Sequence, residues 1–338
     1  MCTARLISEV TQSVIASTIN QLALAVDDKR RAVSALSQLL APPVEWDSAI
    51  PYRPYSLLTP TGFPVEFSFG NPAEEIRYAT EVGGHAVPNA LRLELAWQRL
   101  SDLGARFDSE QFEWLSELQA GKSLKYGAWA GARHSGGRDR FKLYAEVPLS
   151  SHNIAMQRFP VSANIAGQIT NRGARLIMLG LTEANDTEFY FGLNGMRYSE
   201  LPMVFGWFDA QDSAESVIEA IELVCGRFLN RSAKNRQNGF SVKRAADGQW
   251  RVSLFSQADD LFGSGSHTRR ALLRASARLG CNLEPYAVFS RSAENEFDAN
   301  RHCMLTFTPI PDSNNDGGVD LRVGLSPSPI TEVYSVDF

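Results

Sequence analysis

The feature that most constrains this chain is an alternation, along its whole length, of turn-bounded strand pairs with helical stretches. Ile15, Ile19, Leu22 and Val26 recur at helical spacing, and Val33, Leu36 and Leu40 continue the pattern until Pro42-Pro43 stops it. A first strand pair follows, Tyr55 to Leu58 and Pro64 to Phe69, around the turn residues Thr59-Pro60-Thr61-Gly62. Helices return with Leu93, Trp97 and Leu100, then with Phe112, Leu115 and Leu118. A second pair spans 124–133 and 140–147, and a third spans 175–182 and 187–193, turning at Ala184-Asn185-Asp186. A helix carrying Val217, Ile221, Val224 and Phe228 leads to a fourth pair, 240–245 and 249–255, about Asp247-Gly248. After a helix with Leu272, Ala275 and Leu279, the segments 286–291, 303–309 and 319–325 all read as extended, and two of them make a fifth pair. The unit helix–strand–strand–helix thus recurs at roughly 50–70 residues. The repetition is one of pattern, without repeated sequence.

Within the strands, apolar and polar residues alternate. Phe141, Leu143, Ala145 and Val147 oppose Arg140, Lys142, Tyr144 and Glu146. Leu124, Tyr126, Ala128, Ala130 and Ala132 oppose Lys125, Trp129 and Arg133; Phe189, Phe191 and Leu193 oppose Glu188 and Tyr190; Trp250, Val252 and Leu254 oppose Arg251 and Ser253. Helices can cover only the apolar faces. The polar faces then look into water, as in an open α+β sheet, or into the lumen of a ten-stranded antiparallel β-barrel surrounded by helices. Closure removes two strand edges, and aromatic rings on the polar face suit an enclosed site. The pattern by itself leaves both architectures open, with closure slightly favoured.

Composition narrows the function. The chain has 338 residues, a length that admits one large domain or two small ones, and a net charge of -5 with no compensating basic stripe, so nucleic acid is not expected as a partner. No apolar run is long enough to span a bilayer, and Met1-Cys2-Thr3-Ala4-Arg5 lacks signal-peptide anatomy. Cys2, Cys225, Cys281 and Cys303 are scattered and read as free thiols, which suits a cytoplasmic protein. His85, His134, His152, His267 and His302 form no helical i, i+4 pair and read as surface residues.

The first hairpin is more specific. Leu58-Thr59-Pro60-Thr61-Gly62-Phe63-Pro64-Val65-Glu66-Phe67-Ser68-Phe69 resembles the opening hairpin of the indole prenyltransferases, the dimethylallyltryptophan synthase family. Arg77 stands eleven residues after Glu66, where that family places a diphosphate-binding arginine, and Lys142-Leu143-Tyr144 is similar to its Lys-x-Tyr strand. The motif match covers roughly residues 54–148. The resemblance implies a ten-stranded barrel of five α-β-β-α repeats, with residues 1–338 as a single barrel domain. It implies transfer of a dimethylallyl or geranyl group from its diphosphate to an indole, by electrophilic aromatic substitution. A phenolic or naphthol acceptor, and a non-catalytic barrel binding an apolar ligand, are the competing readings.

The chemistry assigns roles. A departing diphosphate needs fixed cations and hydroxyl donors, for which Arg77, Lys142, Tyr144 and Arg251 are candidates, with Arg322 inward by parity on the last strand. The allylic cation needs aromatic shielding, a role for Tyr144, Tyr190 and Trp129. A carboxylate at Glu66 would hold the indole N–H. Where tryptophan-modifying relatives carry a catalytic lysine this chain has Trp129, and Lys125 on the same face is the substitute candidate. Asp27-Asp28 and Asp259-Asp260 do not extend to the aspartate-rich motif of magnesium-clamping helical prenyltransferases. In the third unit Asp186 and Glu188 stand where relatives carry cations. Either other basic residues replace them, or magnesium bridges carboxylates and diphosphate. The fourth unit has Arg251-Val252-Ser253 in place of Lys-x-Tyr.

Overall fold

Ten strands close into one antiparallel barrel. The computed structural model describes residues 13–22, 24–43, 56–84, 87–184, 186–231, 238–245, 247–262, 265–291, 301–310 and 318–327. The strands are β1 (Val65–Phe69), β2 (Ile76–Thr80), β3 (Ala128–Ser135), β4 (Arg138–Glu146), β5 (Arg175–Thr182), β6 (Thr187–Leu193), β7 (Asn238–Arg244), β8 (Trp250–Gln257), β9 (His302–Pro309) and β10 (Val319–Leu325). Each pairs with its sequence neighbour, and β10 returns to β1 through Phe67–Leu325, Ser68–Gly324 and Phe69–Val323. The strand ends joined by the five hairpins lie at one end of the barrel; those joined through helices lie at the other.

Alternation decides which face meets the helices. Val65, Phe67 and Phe69 of β1, Ile76 and Tyr78 of β2, and Ala128, Ala130 and Ala132 of β3 are buried on the outer face. The alanines let helices come close: Arg92–Asp102 packs on β3 and β4, and Val26–Leu40 on β2 and β3. Arg92 of the first of these forms a buried ion pair with Glu81 and donates from Nε to the Val87 carbonyl at 3.1 Å, which ties that helix to the end of β2. Ser213–Cys225 lies against β9 and β10 with Val217, Ile218, Ile221 and Val224 inward. Gly226, at φ 65°, ends it in the left-handed conformation that suits glycine. Phe228, placed on that helix by spacing, therefore lies beyond it and is 90% exposed.

Several boundaries differ from expectation. The first hairpin joins β1 to β2, not 55–58 to 64–69; Tyr55 itself lies outside the described residues. Thr59 to Gly62 is a turn, with Gly62 N–H on the Thr59 carbonyl at 3.1 Å, but it leads into β1 instead of joining two strands. Ile76, Tyr78 and Thr80 supplied an alternating signal for β2 that the turn residues upstream obscured. Segment 286–291 is largely helical (Glu284–Phe289), because Tyr286 and Phe289 are both buried, a helical three-residue spacing. β9 and β10 make the fifth pair. His134 and His302 are buried, not superficial: His134 meets the Tyr78 hydroxyl at 3.1 Å and Asp139 at 2.8 Å, and His302 meets the Tyr286 hydroxyl at 2.7 Å. Burial, with Arg301 and Arg269 nearby, pushes His302 down to about 4. Cys225, Cys281 and Cys303 are free thiols; Cys2 and His85 lie outside the described residues.

Phe240 on β7 is wholly buried and stacks on Phe191 of β6 with ring centroids 4.9 Å apart. Phe240→Ala should cost about 3–5 kcal/mol in denaturant unfolding, whereas Phe228→Ala should change stability by less than about 0.5 kcal/mol.

Candidate active site

The inner face of the barrel carries the polar residues, and it is graded from end to end. Toward the hairpin end three arginines from three strands approach one another: Arg77 of β2, Arg133 of β3 and Arg322 of β10. Arg77 and Arg133 are direct cross-strand partners. Burial pushes Arg133 down to about 10, and the charges of Arg77 and Arg322 push the same way against the pull of Glu75. Burial and then Arg77 also lower Arg322. Two carboxylates offset part of this charge. Glu75 binds Arg140 at 2.6 Å and lies 3.9 Å from Arg133, and Asp320 binds Arg322 at 3.1 Å. Among the described residues Arg77 has no ion pair. Three like charges held together with an incomplete complement of carboxylates leave a local excess of positive charge in the lumen.

Arg133 was legible as an inward residue but not as a member of this cluster. Its signal was parity on β3 opposite Arg77, which became readable only once β2 was known. Arg322 is inward, as its parity required. Arg251 is also on the inner face but sits at the hairpin rim, where its guanidinium binds Asp247 at 2.9 Å, so it stands apart from the three arginines.

Next along the lumen is Lys142, which forms an ion pair with Glu188 and donates to the Tyr190 hydroxyl at 2.9 Å. Ser241 donates to the other Glu188 oxygen at 2.6 Å. Burial alone would raise Glu188, but the charge and hydrogen bond of Lys142 and the hydroxyls of Ser241 and Tyr190 hold it at about 2. The lysine crosses β5 to reach β6 at Gly180, where a Cβ would come within 3.0 Å of Lys142 Nζ. The replacement of an expected cation by Glu188 is thereby explained: it is the counter-ion of Lys142. Asp186 lies exposed on the turn, where its carbonyl accepts from the Thr182 N–H at 3.1 Å. No group of three or more His, Cys, Asp and Glu side chains among the described residues is placed to hold a metal ion. With Glu188 already bound to Lys142 and Ser241, this donor set does not fit a bridging magnesium ion.

The Lys142 ammonium also lies 5.0 Å from the Tyr144 ring centroid and 5.2 Å from that of Tyr190. The two tyrosines meet edge to face at 5.9 Å, and Phe255 of β8 adds a third ring 6.3 Å from Tyr190. Burial alone would raise the Tyr144 hydroxyl, but Lys142, Arg77 and Arg133 lower it; burial and Glu188 raise Tyr190. These faces form a wall beside the cations.

Glu66 projects from β1 opposite Ala79, two residues along β2 from Arg77. Burial raises its carboxyl to about 8, against the attraction of Arg77 and a hydrogen bond with Cys303. Toward the end opposite the hairpins, Trp129 stacks on Tyr126 with centroids 4.0 Å apart, and its Nε1 is buried without a hydrogen-bond partner among the described residues.

Lys125 is not in the lumen. It precedes β3 and is exposed, and the reason is Gly127. That residue adopts φ 72°, and a Cβ there would lie 1.9 Å from the Asn89 carbonyl. The chain turns at Gly127, so the two-residue alternation that put Lys125 beside Trp129 does not extend through it. Glu146 caps the turn, accepting from the backbone N–H groups of Lys125, Tyr126 and Gly127 at 2.8–2.9 Å.

No family model and no curated protein matches this chain. Solved structures do. The 5-dimethylallyl tryptophan synthase from Streptomyces coelicolor in complex with DMASPP and Trp superposes with a TM-score of 0.73 at 13% identity, over 98% of this chain and 96% of that one. This chain has the prenyltransferase barrel fold. The 6-dimethylallyltryptophan synthase from Micromonospora olivasterospora in complex with DMASPP and Trp gives a TM-score of 0.73 at 14% identity, over 94% and 97% of the two chains. NotF in complex with brevianamide F and DMSPP gives 0.65 at 14%, over 94% and 92%. The barrel of five hairpins implied by the Gly62-to-Ser68 segment is thus matched nearly end to end by chains of very different sequence.

The arginine cluster generates a direct test. Calorimetry with inorganic diphosphate should detect binding that weakens as salt rises, and Arg77→Ala or Arg133→Ala should each lower affinity about 10–100-fold. Arg251→Ala, at the rim, should cost less than about threefold.

Proposed function

We propose that this chain is an aromatic prenyltransferase that moves a dimethylallyl or geranyl group from its diphosphate to an indole, tryptophan or a metabolite derived from it. The observation that carries the reading is the gathering of three kinds of group in one lumen: three arginines, a wall of aromatic faces around Lys142, and a desolvated carboxyl at Glu66 within the field of Arg77. That combination suits electrophilic aromatic substitution. The allylic C–O bond breaks and the diphosphate leaves with the electron pair, toward Arg77, Arg133 and Arg322 with Lys142 beside them. Tyr144, Tyr190 and Phe255 present ring faces to the allylic cation and keep water from it. The acceptor ring, held through its N–H by Glu66, supplies the electron pair for the new C–C bond, and transfer of the ring proton to the released diphosphate or to water restores aromaticity. Trp129 lines the acceptor side.

Two lysines do not serve as free bases in this scheme, since Lys142 is bound to Glu188 and Lys125 is outside the lumen. The phenol or naphthol reading is less favoured because the Gly62-to-Ser68 hairpin that carries Glu66 resembles that of the indole-modifying family. A simple carrier of apolar ligands would not hold this many buried charges. We further infer that residues 1–338 form a single barrel domain and that the protein works in the cytoplasm, where Cys225, Cys281 and Cys303 remain reduced. No helix among the described residues is long and apolar enough to cross a membrane.

Incubation with dimethylallyl or geranyl diphosphate and an indole panel, read by mass spectrometry, should yield products gaining one isoprenyl unit; no such product from any indole, with or without magnesium, would overturn the reading. Glu66 also sets a pH dependence. Its carboxyl is raised to about 8, so the ionised form that accepts an N–H is lost as pH falls below that value. The kcat/KM for the indole should climb about tenfold per pH unit below the midpoint and level off above it. Glu66→Gln should lower kcat/KM and abolish that limb, with little effect on diphosphate affinity.

A further inference from the structure

Opposite Gly324, strand β9 carries one residue more than its partner. Val323 pairs with Leu305 and Leu325 with His302, so Cys303 and Met304 together face the single residue Gly324. Such a bulge bends a strand and re-aims its side chains. This one lies beside Glu66. A Cβ on Gly324 would sit 2.2 Å from Glu66 Oε1, 2.9 Å from its Cδ and 3.0 Å from the Met304 nitrogen. The carboxyl therefore occupies the space a side chain at 324 would fill, with the backbone of β9 behind it. The Cys303 thiol lies beside the same carboxyl and counters its upward shift, while its S–H donates to the Arg301 carbonyl at 3.5 Å.

We propose that the β9 bulge and Gly324 form a socket that positions the Glu66 carboxyl for the acceptor, with Cys303 as the positioning residue that hydrogen-bonds it. The inference rests on the acceptor-holding role given to Glu66 above. The thiol has one proton and two acceptors within reach, the Glu66 carboxyl and the Arg301 carbonyl at 3.5 Å. When Glu66 is ionised the S–H turns to it; when Glu66 is neutral the S–H donates to the Arg301 carbonyl instead. Burial and the charge of Glu66 hold the thiol far above its ordinary range, so it stays a donor. The groups facing Glu66 are Arg77 from β2 and Cys303 from β9; from β10 its carboxyl meets Gly324, the partner of Ser68, which has no side chain. Arg301 and Asp259 act on Cys303.

Titration of the full chain by carboxyl 13C NMR, with Glu66→Gln identifying the signal, reads the socket without turnover. Cys303→Ala should move the Glu66 midpoint upward by on the order of one unit, and Cys303→Ser, which keeps a donor, should bring it back most of the way. In kinetics, Gly324→Ala should raise KM for the indole about tenfold or more while changing KM for the prenyl diphosphate less than about twofold. An unchanged Glu66 midpoint in folded Cys303→Ala, or an unchanged indole KM in folded Gly324→Ala, overturns the socket. Should Gly324→Ala fail to fold, the cysteine titrations decide alone. If the wild-type chain prenylates no indole, the titrations still report on the socket, so its failure and that of the prenyltransferase reading are told apart.

Discussion

Everything in this fold depends on the short ladder between the first strand and the last. Phe67–Leu325, Ser68–Gly324 and Phe69–Val323 join chain segments more than 250 residues apart. Without them the sheet has two edges and one face open to water, and the inward charges are ordinary solvated side chains. With them the same charges are enclosed, and each interaction among them is strengthened by the loss of competing water. The ladder also brings Gly324 beside Glu66, so the contact that closes the barrel helps to shape the candidate acceptor site.

Enclosure makes the distribution of charge informative. Lys142 is neutralised by Glu188, and Arg140 and Arg322 have carboxylate partners. Arg77 and Arg133 face each other across paired strands with only partial compensation. Like charges brought together in a desolvated space destabilise the free protein, and the cost is relieved when an anion arrives. In the same lumen, opposite Ala79 and two residues along β2 from Arg77, burial raises the Glu66 carboxyl to about 8 against the attraction of that arginine. A positive cluster and a carboxyl that is mostly neutral at pH 7 therefore stand side by side.

Much of this was legible from residues. β3 to β8 and the two final strands follow the two-residue alternation, and the inward side of Lys142, Tyr144, Glu188, Tyr190 and Arg251 could be assigned from it. Where the reading failed, a local event interrupted the period. Gly127 turns the chain before β3, so parity carried Lys125 to the wrong place. Pro60 and Gly62 marked a turn strongly enough to suggest a hairpin, but the partner of β1 lay downstream at Ile76–Thr80. Tyr286 and Phe289 fit a short extended run by propensity, and tertiary burial made them one face of a helix. His134 and His302 belong to no helical i, i+4 pair and so read as surface residues; each is buried against a tyrosine hydroxyl that no sequence spacing indicates.

The sequence by itself determined the hairpin-and-helix order, the polar character of one strand face, and the Gly62-to-Ser68 segment with Arg77 and Lys142 that pointed to a family. These are properties of period and local spacing, which neighbouring residues specify. Only the tertiary structure decided that the sheet closes, that Arg77, Arg133 and Arg322 converge, that Glu188 answers Lys142, and that Gly324 and Cys303 enclose the Glu66 carboxyl. Each of those depends on register between strands distant along the chain, and on the desolvation that closure imposes, which local spacing does not encode.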